Sequence, residues 1–196
     1  MEDLEKLIES LGFKKQIHLE EMPSIDLYMD QVIQLFDQAF SQTRRNVDEK
    51  ILTKTMINNY AKGNLFFPVK KKKYTREHLI LISLIYQLKG SLSITDIKGV
   101  LSGINDRVTK SDLDLEAFYS AFLALSAENE RNFREEARKR KDAAEKEIKL
   151  MEDGDKELET ILLVASLVNM SNMYRRLAEK LADQLQEDGL DLRSKN

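Results

Sequence analysis

Proline occurs at only two of 196 positions, Pro23 and Pro68, and the long stretch after Pro68 contains none. Proline and glycine are the residues that end helices. A chain with so few of them, 42% hydrophobic and 33% charged, is predicted to be mainly α. The seven glycines then mark joints. Gly12 closes a first amphipathic stretch, Leu4, Leu7, Ile8 and Leu11, and a linker carries the chain to Pro23. Ile25, Tyr28, Met29, Val32, Ile33, Phe36 and Phe40 recur at helical spacing, which predicts the next helix. After a polar connection, Thr53 caps a short helix ending near Ala61, with Gly63 as its break. Phe66, Phe67, Val69 and Tyr74 have strand character around Pro68 and predict a small β wing over 64–74. Thr75 caps a strongly apolar helix that closes at Gly90. Ser93 with Asp96 opens another that ends at Gly103.

The last third is helical, charged and without proline. Leu115, Phe118, Phe122 and Leu125 form one stripe. Leu163, Leu167, Met170, Tyr174, Leu177 and Leu181 form another at coiled-coil spacing. With a break at Gly154, this predicts an antiparallel helical hairpin over 111–188, whose second stripe dimerises two copies or packs on the middle of the chain. The expected organisation is an N-terminal helix and linker (1–22), a central domain (23–110), the hairpin and a flexible tail (189–196).

Several function classes lose support. There is no cysteine, which removes disulfides and thiolate sites. His18 and His78 stand alone, and no metal-ligand cluster, Gly-rich phosphate loop or catalytic triad order is visible, so no enzyme, metal or cofactor is expected. His78, near a helix start, is expected at the surface. The start of the chain is acidic and no apolar run is long enough for a bilayer, so a cytoplasmic protein is expected.

Charge supplies the positive signal. The net charge is −3, but residues 44–110 carry 14 Lys and Arg against 5 Asp and Glu, while both flanks are acidic. A basic block between acidic ones suits a domain that meets phosphate. On the 53–61 helix, Met56, Ile57 and Tyr60 make the inward face, and Lys54, Thr55, Asn58 and Asn59 are left for base edges or phosphates. Asparagine offers the paired donor and acceptor that adenine needs, although the Asn58-Asn59 pair taken alone reads more readily as the fraying end of a structural helix. Lys62, Lys70, Lys71, Lys72, Lys73 and Arg76 add sequence-independent phosphate contacts, as do Arg44 and Arg45 in the polar connection. Tyr60 is included among the contacts through the motif described next.

From Leu52 to Leu101 the chain resembles the winged helix-turn-helix of MerR-type transcription regulators. The shared pattern is a short helix ending in an aromatic residue, a glycine and apolar pair before proline, a basic wing, then "REHLILISLIYQLKG" and "SITDIKGVL". The segments "DLYMDQVIQLFDQAF", "LTKTMINNYAKG" and "KKKYTREHL" are similar to the bacterial family called domain of unknown function 1836. The resemblance implies a MerR-like fold and a DNA-binding regulator that acts as a homodimer. Two features depart from that pattern. Asn58-Asn59-Tyr60 stands where MerR regulators end their recognition helix in an Arg-Tyr-Tyr-like run, so only Tyr60 matches. The connection from Phe40 to Thr53 also exceeds a tight turn. A second expectation follows, a protein-interaction module that keeps the core without binding DNA.

Overall fold

A computed structural model describes the backbone of residues 4–194 and side chains as far as residue 187. The tail expected at 189–196 lies outside the described side chains, and its last two residues outside the described backbone. The order is α1 (Leu4–Ser10), β1 (Leu27–Tyr28), α2 (Met29–Phe40), α3 (Lys54–Lys62), β2 (Lys73–Tyr74), α4 (Arg76–Leu88), α5 (Ile94–Thr109), α6 (Leu115–Ile148) and α7 (Lys156–Ser194). The fold is mainly helical with one small antiparallel sheet, in which Leu27 faces Tyr74 and Tyr28 faces Lys73. Among the described residues no helix is long and apolar enough to cross a membrane.

The centre of the core is α4. Every residue from His78 to Ile85 is buried, as expected of a helix that is apolar on all sides. Around it pack Val32, Phe36 and Phe40 of α2, Ile57 and Tyr60 of α3, Ile97 and Leu101 of α5, and Leu115 and Tyr119 of α6. This core is closed at its edge by the Tyr119 hydroxyl, which donates to the Ile17 carbonyl (2.8 Å). The α6 stripe in contact with the core is Leu115 and Tyr119, with Phe122, as expected, and Leu123 partly buried beside them. Phe118 and Leu125, expected in that stripe, are exposed.

Local signals set most helix ends. Thr53 Oγ1 accepts from the Met56 amide (3.1 Å) and starts α3. At its other end Leu65 N–H returns to the Tyr60 carbonyl (3.0 Å) and Asn64 N–H to Ala61 (3.1 Å). The helix ends at Lys62 with Gly63 as its C-cap, the expected break, and the left-handed residue that follows is Asn64 (φ 56°). Ser93 and Asp96 cap α5 reciprocally, each bond 3.1 Å. That helix does not stop at Gly103 but continues to Thr109. The reason is tertiary, because α7 lies along α5 and a Cβ on Gly99 would collide with the Gln186 side chain.

The hairpin forms as expected, with α7 antiparallel to α6, and it folds back on its own chain. Leu163 is 5% exposed, while Leu167 and Met170 line a groove with Phe133 and Ala137 of α6. Further along the same stripe, Tyr174, Leu177 and Leu181 are 66%, 60% and 52% exposed. The expected seam thus divides in two, its first half in contact within the chain and its second half open to solvent.

Candidate nucleic-acid interface

The short helix α3 projects one polar face. Ile57 and Tyr60 are buried in the core, and Lys54, Thr55, Asn58, Asn59 and Lys62 are exposed on the opposite arc. Nine residues are too few for a helix to be stable alone in water, so this face is held out by the core beneath it. Tyr60, 4% exposed, serves that core, and burial pushes its phenol above the ordinary range. It is an anchor, which removes it from the expected contact residues.

The wing holds a minimal hairpin, in which Lys70 and Lys73 bridge in antiparallel fashion. Phe66 and Tyr74 are buried in edge-to-face contact at 6.3 Å, and Lys73 and Tyr74 also pair as strand with β1 ahead of α2. Between Lys70 and Lys73 runs a tight turn, closed by the Lys73 amide on the Lys70 carbonyl (3.0 Å). Its central residues, Lys71 and Lys72, both have positive φ, 51° and 60°. That is the geometry of a type I′ turn, which Asn-Gly or Asp-Gly normally fills. A side chain with a Cβ costs about 1–2 kcal/mol in this conformation. The turn therefore keeps lysines where cheaper residues exist. Replacing Lys71→Asn together with Lys72→Gly is expected to stabilise the fold by about 1 kcal/mol, read as a rise in melting temperature of a few degrees.

Beneath the wing lies His78, which is buried at 2% exposure, contrary to its expected surface position. Its Nδ1 accepts from the Thr75 amide (3.1 Å) and the Thr75 hydroxyl (2.9 Å), and Nε2 donates to the Phe67 carbonyl (3.1 Å). The ring thus ties both ends of the wing to α4. Its neighbours are Phe66, Phe67 and Tyr74. Burial lowers the imidazole pKa, although the Phe67 carbonyl, Glu77 and Asp26 pull the other way. A depressed pKa in the folded state means that the neutral ring contributes fully above the unfolded value near 6.5, and that this contribution is lost as pH falls through the folded value. Stability should therefore drop below about pH 6.5, by at most about 1.4 kcal/mol per unit. Urea unfolding of the wild type and of His78→Gln across pH 7.5 to 5 checks this, the variant being expected to show the shallower dependence.

Wing and helix meet in a groove of about 870 Å³. Lys54 and Asn58 line it from α3, Lys72 from the turn, and Tyr28 and Asp30 from the start of α2. Asp30 pairs with Lys54 at 2.8 Å, an exposed contact of small energy. Thr55, Asn59, Lys62, Lys70 and Lys71 are exposed outside this groove, and Lys73 is half-buried with Nζ 5.6 Å from the Tyr28 ring centre.

The arginines are placed otherwise. Arg44 pairs with Asp37. Arg76 donates to the Leu19 carbonyl (2.7 Å) and pairs with Glu116 (3.1 Å), which binds the N-terminal segment to α6. Of these three arginines only Arg45 is exposed, and its amide is held by Glu49 (2.8 Å). Sequence reasoning missed the β1 strand, Asp30 and the structural use of Arg76, since each depends on contacts distant in the chain. No group of acidic or histidine side chains among the described residues is arranged to hold a metal.

A family model described as Domain of unknown function (DUF1836) matches residues 17–122. The match begins and ends close to the limits of the buried core, Ile17 and Tyr119. No curated protein and no solved structure matches the chain.

Proposed function

We propose that this chain, which belongs to the DUF1836 family, is a cytoplasmic DNA-binding transcription regulator with a MerR-like winged helix-turn-helix core, acting as a homodimer. The observation that carries the reading is the wing turn. Two lysines occupy left-handed backbone beside the polar face of α3, and strain retained at a surface site marks function better than packing. In this reading α3 enters the major groove, where Thr55, Asn58 and Asn59 meet base edges. Lys70, Lys71 and Lys72 hold the phosphate backbone and set the register without reading sequence. The free half of the α7 stripe, from Tyr174 to Leu181, joins two copies, and the two-fold axis so made suits a palindromic site.

Selection of bound duplexes from a random pool by the purified protein tests this. A single palindromic site should emerge. Asn58→Ala should relax discrimination at one base pair in each half by about 1–3 kcal/mol. Recovery of no preferred sequence, or of the same preference from the variant, counts against Asn58 as a reader.

A further inference from the structure

A second cavity, of about 520 Å³, lies away from the wing, where the end of α4 meets the Gly12–Gln16 segment, the end of α2 and the middle of α6. Its volume falls in the range of small-molecule sites. The walls are aromatic. Phe40 and Tyr86 stack at 4.4 Å, and Phe13 meets Phe133 edge to face at 5.3 Å. Two lysines line this space, Lys15, which is exposed to solvent, and the half-buried Lys89, whose Nζ lies 4.4 Å from the Tyr86 ring centre and donates to the Ile51 carbonyl (2.9 Å).

Lys89 makes no ion pair among the described residues. Glu49 acts on it only through space, and burial lowers the pKa of its ammonium. The lining carboxylate, Glu130, is already engaged by Arg134. Three N–H groups belong to an ammonium, and the Ile51 carbonyl uses one. The cavity therefore offers flat apolar walls, one half-buried cation with donors to spare, and no free anion to oppose a ligand.

We propose that this cavity binds an aromatic carboxylate, with the ring between the Phe40–Tyr86 stack and Phe133 and the carboxylate on Lys89. A simple inorganic anion would leave the aromatic walls unused, and a neutral ring would leave the ammonium without its partner. Binding also has a route to α3. Ile51 lies two residues before the Thr53 cap, so a carboxylate that draws Lys89 from the Ile51 carbonyl loosens the connection that positions α3. This coupling rests on the DNA-binding reading, whereas the site itself does not.

The test uses benzoate on the full chain, followed by NMR of the aromatic side chains, with acetate as an anion without a ring and benzamide as a ring without charge. Benzoate should shift Phe40, Tyr86 and Phe133 saturably, and acetate and benzamide should bind at least about tenfold more weakly. Lys89→Met should abolish benzoate binding. Phe133→Ala, which keeps the Lys89 contact to Ile51, should weaken it and guards against a Lys89 variant that merely unfolds. Benzoate binding that survives Lys89→Met, or no saturable shift in the folded wild type, overturns the site. Benzoate binding without any change in DNA affinity overturns the coupling alone, and a chain that binds benzoate but never binds DNA overturns only the DNA-binding reading.

Discussion

Replacing Lys70, Lys71, Lys72 and Lys73 together by alanine is expected to weaken binding to every duplex alike, by about 10²-fold at 0.15 M salt for each half of the dimer. The magnitude follows from counterion release. Three of these lysines are exposed, and Lys73 is half-buried beside Tyr28. Losing about three phosphate contacts in each half of the dimer should reduce the slope of log affinity against log salt by roughly 3 per half. Folding stability should change little, since alanine keeps the Cβ that makes the turn strained at 71 and 72. The Asn-Gly exchange at the same two positions should instead raise the melting temperature while weakening DNA binding. The two variants together separate charge from backbone strain, with titrations in increasing salt and thermal melts as the measurements.

The second large effect is expected at Leu177 and Leu181. Both are more than half exposed in the single chain, so changing both to aspartate should cost the fold little. In a dimer those leucines are buried from both copies, at about 1.5 kcal/mol or more each, and introduced charges would face one another. Light scattering should give a dimer for the wild type and 22.7 kDa for the double variant. Leu163→Asp provides the contrast. Leu163 is buried within the single chain, so its replacement should destabilise the fold rather than dissociate two folded chains. A wild type that is monomeric at micromolar concentration contradicts this part of the account.

What the sequence made legible was local. Thr53, Thr75 and Ser93 mark helix starts because a cap acts within three residues, and α2 declares its buried face through Val32, Phe36 and Phe40. The polar arc of α3 was legible for the same reason, as the inward residues Ile57 and Tyr60 fix what remains outside. What escaped depends on distant contacts. β1 is two residues long and has meaning only beside β2, so Leu27 and Tyr28 looked like the start of a helix. His78 seemed a surface residue because nothing near it in sequence announces the Phe67 carbonyl that closes over it. Arg76 looked like a phosphate contact until Glu116, forty residues later, occupied it. Gly103 looked like a helix end because the support that α7 lends to α5 comes from the far end of the chain. The strained turn was out of reach as well, since four consecutive lysines say nothing of φ.

The account depends most on whether the wing and α3 meet DNA. The most direct measurement is fluorescence anisotropy of a labelled genomic duplex with the purified protein, repeated from 50 to 200 mM salt. Binding should weaken steeply, by about 10-fold or more over that range for each half of the dimer making three phosphate contacts. No binding at 50 mM salt would contradict the account and leave the core as a protein-interaction module.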